Sequence, residues 1–467
     1  MDLLESNASR LRFETYIEEL VSVIGHADRI VPLHDYCTGL LLPGERKSVE
    51  PLAALTDPQR TASKHQSLLH FVANAPWSNE AVLTKVRHTV LPKIEALGAI
   101  EVSIIDDTSF PKKGKHSVGV ARQYCGQLGK QDNCQTVVSL SLANHHASLP
   151  IAHQLYLPQS WADDPDRRRK AKVPQDIVFK TKPEMALEQL KTAAAAIPLG
   201  TVLTDAGYGN SSEFRAGVTA LERPYAVGVQ SNMLLWKADA VLPSHRPNGQ
   251  EPSRPQLRAQ QIAAKQLVLD QPAESWQRIT WREDGEAFTS RFVRLRVRPV
   301  SDAEQPAEEW LLAETPEGEA EPTKYWLSTL PVEISFEDLV DRAKLRWRIE
   351  RDYQELKQEV GLGHYEGRHW RGLHHHITLC IAAYGFLIAE RASFPPSGSR
   401  REGRSKAAVV PADQRSNRAA TASRTTYAEL HCNPPATDCR RSGRTSPTLS
   451  LLRQSPDQGR TAKLVTQ

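Results

Sequence analysis

The chain has 467 residues, 40% of them hydrophobic and 24% charged, with a formal net charge of +4. That length exceeds one simple core, so two or three domains are expected. The N-terminus MDLLESNASRLRFE is no signal peptide, no apolar run reads as long enough to span a membrane, and six cysteines without a CxxC pair argue against a zinc ribbon. A cytoplasmic protein is expected. The tail from Phe394 carries 13 Lys+Arg against 5 Asp+Glu, a net of +8, so residues 1–393 net −4. A nucleic-acid surface must therefore come from local clusters rather than bulk charge.

Residues 1–95 read as a small helical domain. Phe13, Tyr16, Ile17, Leu20, Val21 and Ile24 follow the spacing of an amphipathic helix. GERKSVEPLAAL (44–55) is a basic turn entering a short helix, and HQSLLHFVANAPW (65–77) adds another apolar stripe. Either plain packing or DNA binding fits, the latter with Arg46 and Lys47 on phosphates.

In AIEVSIIDDTSFPKKGKHS (99–117), Val102, Ile104 and Ile105 predict a short buried strand ending in Asp106 and Asp107, with a turn at Pro111. Alternation points the two Asp to opposite faces, so one of them reaches a given site. The polar continuation Thr108-Ser109 favours Asp107, with a turn residue as the plain alternative. Lys112, Lys113 and Lys115 follow.

TVVSLSLAN (136–144) and LPIAHQLYLP (149–158) form a hairpin-like pair. WADDPDRRRKAKVP (161–174) reads as a charged loop whose four cations, Arg167 to Lys170, are either solvated or set against a DNA backbone. KPEMALEQLKTAAAA (182–196) is a strong helix. GTVLTDAGYGN (200–210) repeats the strand-then-Asp theme with Asp205, and NSSEFRAGVTAL (210–221) is a capped helix. PYAVGVQ (224–230) is a further buried strand. This order of strands and helices is compatible with an α/β ribonuclease H-like (retroviral integrase-type) core.

From 232 to 331 the pattern is β-rich, broken by the Pro-rich loop PSHRPNGQEPSRPQLR (243–258). In SRFVRLRVRPV (290–300), Arg294, Arg296 and Arg298 alternate with Val293, Leu295 and Val297. That alternation predicts a strand with one cationic face, suited to an edge or to DNA.

FEDLVDRAKLRWRIERDYQELKQEV (336–360), closed by Gly361, predicts one long helix. Arg346, Glu350 and Lys357 share a face beside an apolar stripe of Leu345, Ile349, Leu356 and Val360. Glu350 would hold a metal and the cations phosphates, if the face is not simply solvated. His374 to His376 cannot converge on one ion, because neighbours on a helix diverge by about 100°. Helix-end polar contacts or DNA contacts are expected of them. After Phe394 periodicity vanishes and disorder is expected.

Asp107, Asp205 and Glu350 thus arrive from three separate elements. They can supply the oxygen ligands that two Mg²⁺ (or Mn²⁺) ions want, about 4 Å apart, for cutting and joining phosphodiesters. The clusters at 112–115, 167–170 and 294–298 would hold the polyanion.

The stretches GERKSVEPLAAL, HQSLLHFVANAPW, IIDDTSFPKKGKHSVGVARQYCGQLGK, VLTDAGYG and RWRIERDYQELKQEVGLGHYEGRHWRGLHHH, within residues 30–392, resemble bacterial DDE transposases of the insertion-sequence 701 family, in the insertion-sequence 4-like group. The resemblance implies Asp107, Asp205 and Glu350 as the catalytic, metal-binding triad, and Arg346 and Lys357 as part of a Tyr-x2-Arg-x3-Glu-x6-Lys signature. The Tyr position of that signature is Ala343 here. The implied activity is cleavage at insertion-sequence ends and strand transfer, with transposon-end DNA and target DNA as partners and a homodimer in the DNA complex. The protein would be nucleoid-associated when bound.

The expected organisation is a helical, DNA-binding domain over 1–95, a catalytic core over 96–231 and 332–392, a β-rich insertion over 232–331, and a basic tail over 393–467. The tail does not resemble the family, and a frameshift near residue 400 would explain it. A catalytically inactive, transposon-derived DNA-binding protein with an altered C-terminus is the alternative reading, and a plain nuclease a third.

Overall fold

Helix α1 (Leu3–Val21) turns Tyr16, Ile17 and Leu20 inward at the spacing the sequence predicts. The computed structural model describes residues 3–240, 260–283, 286–300 and 306–394. The Pro-rich loop at 243–258 and the tail beyond Phe394 lie outside the described residues, and so do the expectations attached to them.

Four more helices follow: α2 (Ile30–Leu41), α3 (Val49–Thr56), α4 (Thr61–Ala73) and α5 (Asn79–Glu95). They enclose the last helix of the described chain, α14 (Trp370–Ser393). Tyr16 donates to the Ala382 carbonyl at 2.8 Å, Phe13 meets Phe386 edge-on at 5.1 Å, and Arg12 pairs with Glu390. These contacts bind the two ends of the described chain together. Residues 377–386 are all buried, each large apolar side chain contributing about 1.5–3 kcal/mol. Helix α14 is long and apolar enough to cross a membrane, which corrects the expectation that no such run exists. Its apolar window is 94% buried inside the protein, so it serves as a core helix.

The sheet begins with β1 (Val102–Pro111), β2 (Ala121–Cys125), β3 (Lys130–Ala143) and β4 (Ser148–Leu155). After α6 (Gln159–Ala162), α7 (Pro165–Lys170) and α8 (Lys182–Ala194) come β5 (Thr201–Thr204), α9 (Ala206–Gly209), α10 (Ser212–Ala220) and β6 (Tyr225–Val229). Strand β1 pairs antiparallel with β3 and parallel with β5. Strand β4 lies antiparallel on β3, and β6 parallel on β5. The order β4-β3-β1-β5-β6 puts β1 in the centre. Residues 134–143 of β3 are buried without a break, as expected of a strand covered on both faces.

The β-rich segment continues this same sheet. Its elements are β7 (Leu234–Lys237), β8 (Ile262–Ala263), α11 (Ala264–Leu269), β9 (Gln277–Glu283), β10 (Glu286–Pro299), β11 (Glu309–Pro316) and β12 (Lys324–Ser328). Strand β12 joins β6 antiparallel, and β11, β10, β7 and β8 follow outward, with β9 on β10. Lys344, from the helix after β12, is buried under the Trp281 ring at 3.9 Å and paired with buried Glu314 at 2.9 Å.

Three local expectations are corrected. Strand β1 does not end at Asp107: the β3 ladder carries it to Pro111, opposite Cys134. Residues 165–170 are a helical turn rather than a loop, because Asp164 caps it by accepting from the Arg167 N–H. The predicted long helix is two, α12 (Phe336–Lys344) and α13 (Trp347–Gln358). At the junction Arg348 and Ile349 bond back three residues, to Leu345 and Arg346, and the turn tightens.

Candidate active site

The parallel register sets Ile104 beside Leu203, so Asp205, just past the end of β5, lies at the level of Asp106. Asp205 caps α9, accepting the Gly207 N–H at 2.9 Å. The second glycine of DAGYG is a steric necessity. A Cβ on Gly209 would lie 2.0 Å from the Gly228 carbonyl oxygen, so only glycine lets α9 lie this close to β6. That close packing holds Tyr208 beneath the acids, its hydroxyl 3.4 Å from Asp107 Oδ1.

Asp106 and Asp107 have different cationic partners. Arg346, at the junction of α12 and α13, donates to Asp106 Oδ2 at 2.7 Å and through its other terminal nitrogen to Glu350 Oε1. Lys182, the first residue of α8, donates to Asp107 Oδ2 at 2.8 Å. A capping box between Thr181 and Glu184 fixes that helix start.

The carboxylates disturb one another. Burial, with repulsion from Asp205, Asp107 and Glu350, pushes Asp106 up to about 7 against the pull of Arg346. Burial also raises Asp205, with Arg346 opposing and Asp107 adding to the rise. Lys357, over the Phe110 ring, is lowered by burial and partly restored by Cys125, Asp106 and Asp107. Four acids and three cations therefore share one electrostatic neighbourhood. Among the described residues no three His, Cys, Asp or Glu side chains are already arranged around an ion position. The donor set nevertheless fits a hard divalent cation: clustered carboxylate oxygens whose mutual repulsion an added positive charge would relieve.

Of the sequence-predicted residues, Asp205, Glu350, Arg346 and Lys357 thus interact with Asp106, while Asp107 stands on Lys182 and interacts with Asp205 and Lys357. Sequence reasoning missed Lys182, Tyr208 and the part played by Asp106. Lys182 stands at a predicted helix start and Tyr208 three residues after Asp205, and those positions are the signals by which either could have been found.

The basic clusters divide. Lys113 and Lys115 are exposed, while Lys112 donates to the Tyr365 carbonyl at 2.7 Å and is lowered by burial to about 8. Arg294, Arg296 and Arg298 are turned inward rather than forming an open cationic face. Arg294 and Arg296 flank the Trp310 ring at 4.6 and 4.8 Å, and Arg298 pairs with Glu308 at 3.2 Å. Arg167 lies over the Trp161 ring at 3.8 Å, and Arg46 pairs with Glu366. Lys47 cannot meet a phosphate: it is 4% exposed, and its ammonium holds the Leu40 and Glu359 carbonyls at two helix ends. His374, His375 and His376 are buried, their ring nitrogens on partners such as the Trp370, Val72 and Gly361 carbonyls.

Carboxylates on and beside central strands, facing a glutamate from a later helix, define an acid-cluster α/β protein. The chain belongs to the DDE superfamily endonuclease family, which it matches over residues 19–287. It is also similar to a probable transposase for insertion sequence element IS701 from Microchaete diplosiphon, 28% identical over 190 residues. That alignment covers 40% of this chain and 46% of the relative, so the chain matches about half of the relative's length.

Proposed function

We propose that this chain is a DDE transposase of the insertion-sequence 701 type, cutting DNA at insertion-sequence ends and joining the freed 3′-hydroxyl to target DNA. The carrying observation is a cluster of four carboxylates from three elements: Arg346 ties Asp106 to Glu350 from a distant helix, Asp205 ends the adjacent parallel strand at the level of Asp106, and Asp107 is held beside them by Lys182. The strand order β4-β3-β1-β5-β6, three antiparallel and then two parallel to β1, supports a ribonuclease H-like core.

Asp107, Asp205 and Glu350 would hold two divalent ions, Mg²⁺ or Mn²⁺. When bound, these would supply Lewis-acid polarisation of the phosphodiester and activation of water or a 3′-hydroxyl. Asp106 anchors Arg346, and Arg346 sets the position of Glu350. Lys182 neutralises Asp107. Lys113 and Lys115 are exposed and suited to a DNA backbone. The partners are transposon-end DNA and target DNA, with two copies of the chain joining two ends, in the cytoplasm on the nucleoid.

The test is cleavage of labelled DNA carrying the element's own ends with Mg²⁺, using the native chain and Glu350→Gln. End cleavage lost in the variant supports the assignment. Binding to the ends with no cleavage by either protein would mean a DNA-binding relic. Cleavage without end preference would mean a plain nuclease.

A further inference from the structure

A cavity of about 790 Å³ opens between the helices α4, α5 and α14 and the β4–α8 side of the sheet. None of the four clustered carboxylates lines it. Along α8 it begins near Glu188, about 9 Å of helix rise beyond Lys182.

Its wall contains a cation with nothing to balance it. Arg87, on α5, is 9% exposed, and its Nε is fully buried without a partner. Among the described residues no carboxylate, carbonyl or ring engages its guanidinium. The cavity's two acids do not reach it: Glu188 pairs with Lys180 at 2.5 Å, and Glu80 accepts from Thr84. The stranded Nε is costly, and an anion on the cavity side of the guanidinium offsets that cost. Beside those two paired acids the rim carries further positive charge. Lys172 and Arg371 line it, and two long helices, α5 and α14, begin there with Ser78 and His369 as caps.

Two acceptors on residues of the cavity wall are buried without a partner. Gln189 is 8% exposed; its Nε2 donates to the Val138 carbonyl at 3.1 Å, and its Oε1 has no partner. His153 Nε2 faces Thr378 Oγ1 at 3.0 Å, and its Nδ1 has none. A bare anion would satisfy Arg87 and leave both acceptors unmet. A phosphate ester that also carries hydroxyl or amino donors satisfies both sets once the Gln189 and His153 side chains turn their acceptors into the cavity, and the volume suits a mononucleotide.

We propose that this cavity binds a nucleotide phosphate, anchored on Arg87 and oriented by Gln189, either as a free nucleotide or as one unit of a single DNA strand. The site is independent of the acid cluster.

The full chain is titrated calorimetrically, with melting followed in parallel, against inorganic phosphate, dAMP and a short single-stranded oligonucleotide. Saturable binding is expected for dAMP, the oligonucleotide or both, weaker by about tenfold or more in Arg87→Met, the usual loss for a charged hydrogen bond. Gln189→Leu should weaken dAMP more than inorganic phosphate. Binding of dAMP identifies a free ligand, and binding of the oligonucleotide alone identifies the strand. Equal affinities in the native chain and Arg87→Met, or no saturable binding of any probe, overturn the proposal. If Arg87→Met does not fold, Lys172→Ala and Gln189→Leu carry the same comparison. Glu350→Gln should bind the probes as the native chain does.

Discussion

Arg346 donates to Asp106 across 240 residues of sequence, at 2.7 Å, while its other terminal nitrogen holds Glu350 one helical turn ahead. The arginine thereby fixes the tightened junction of α12 and α13 over the centre of the sheet. Asp107, on the opposite face of the strand, is held by Lys182, a compact charge on a flexible stem. A planar guanidinium in a two-pronged grip is the harder of the two to displace.

That difference separates the adjacent aspartates in a cleavage assay. Asp107→Asn should abolish Mg²⁺-dependent cleavage, by about 10³-fold or more, because it removes an oxygen ligand. Asp106→Asn should cost less and should act through Arg346, so adding it to Arg346→Ala should cost little more than Arg346→Ala alone. The reverse ranking, with Asp107→Asn still active and Asp106→Asn dead, would move the metal-binding role to Asp106.

The legible parts of this site were those written in local spacing. Arg346 and Glu350 are four apart, and their pairing follows from helix geometry alone. The apolar run through Ile105 announced β1, and alternation placed the two aspartates on opposite faces. Which face meets α13 depends on tertiary packing, which no window of sequence contains. The Lys182–Asp107 pair spans 75 residues and was invisible for the same reason. Strand β1 outran its hydrophobic stretch because β3 pairs with it to Pro111, an override of local pattern by the ladder. The Arg alternation of β10 read correctly as a strand. The Trp310 ring that occupies Arg294 and Arg296 comes from β11, a neighbour known only after folding.

Gly209→Ala should be among the most damaging single changes near the site. The added methyl would sit 2.0 Å from the Gly228 oxygen, a backbone atom that cannot swing aside. Relief requires α9 to lift off β6, carrying Asp205 and Tyr208 with it. A loss of about 3 kcal/mol or more is expected in denaturant unfolding, the upper range for overpacking. Gly114→Ala, with no atom within 4 Å of the new Cβ, is the control and should be nearly neutral.

Lys47→Ala tests whether a residue in a basic motif serves structure or DNA. Its ammonium joins the Leu40 and Glu359 carbonyls, bridging the ends of α2 and α13. Removing it leaves two carbonyls without their donor, at about 1–3 kcal/mol each if water cannot reach them. Stability should fall by about 2 kcal/mol or more, while the salt dependence of DNA binding by the remaining folded protein should not change. A lower salt slope at unchanged stability would restore the phosphate-contact reading.

His145 should give the fold a basic-side pH dependence. Its two ring nitrogens face Glu101 at 2.7 Å and Asp341 at 2.6 Å, joining the β1 entry and the β3–β4 turn to α12. Hydrogen bonds that it donates to Asp341 and Glu101 raise it to about 9, burial opposing. A histidine whose folded value lies above its unfolded value of about 6.5 stabilises fully below that pH and loses the contribution as pH rises toward 9. The side chain is 42% exposed, so solvent screening keeps the effect near the surface-pair range, up to about 1 kcal/mol. Melting temperature should therefore fall between pH 6.5 and 9 in the native chain. In His145→Gln that decline should flatten, with the melting temperature already lower at pH 6. An unchanged slope in the variant would assign the pH dependence to other groups.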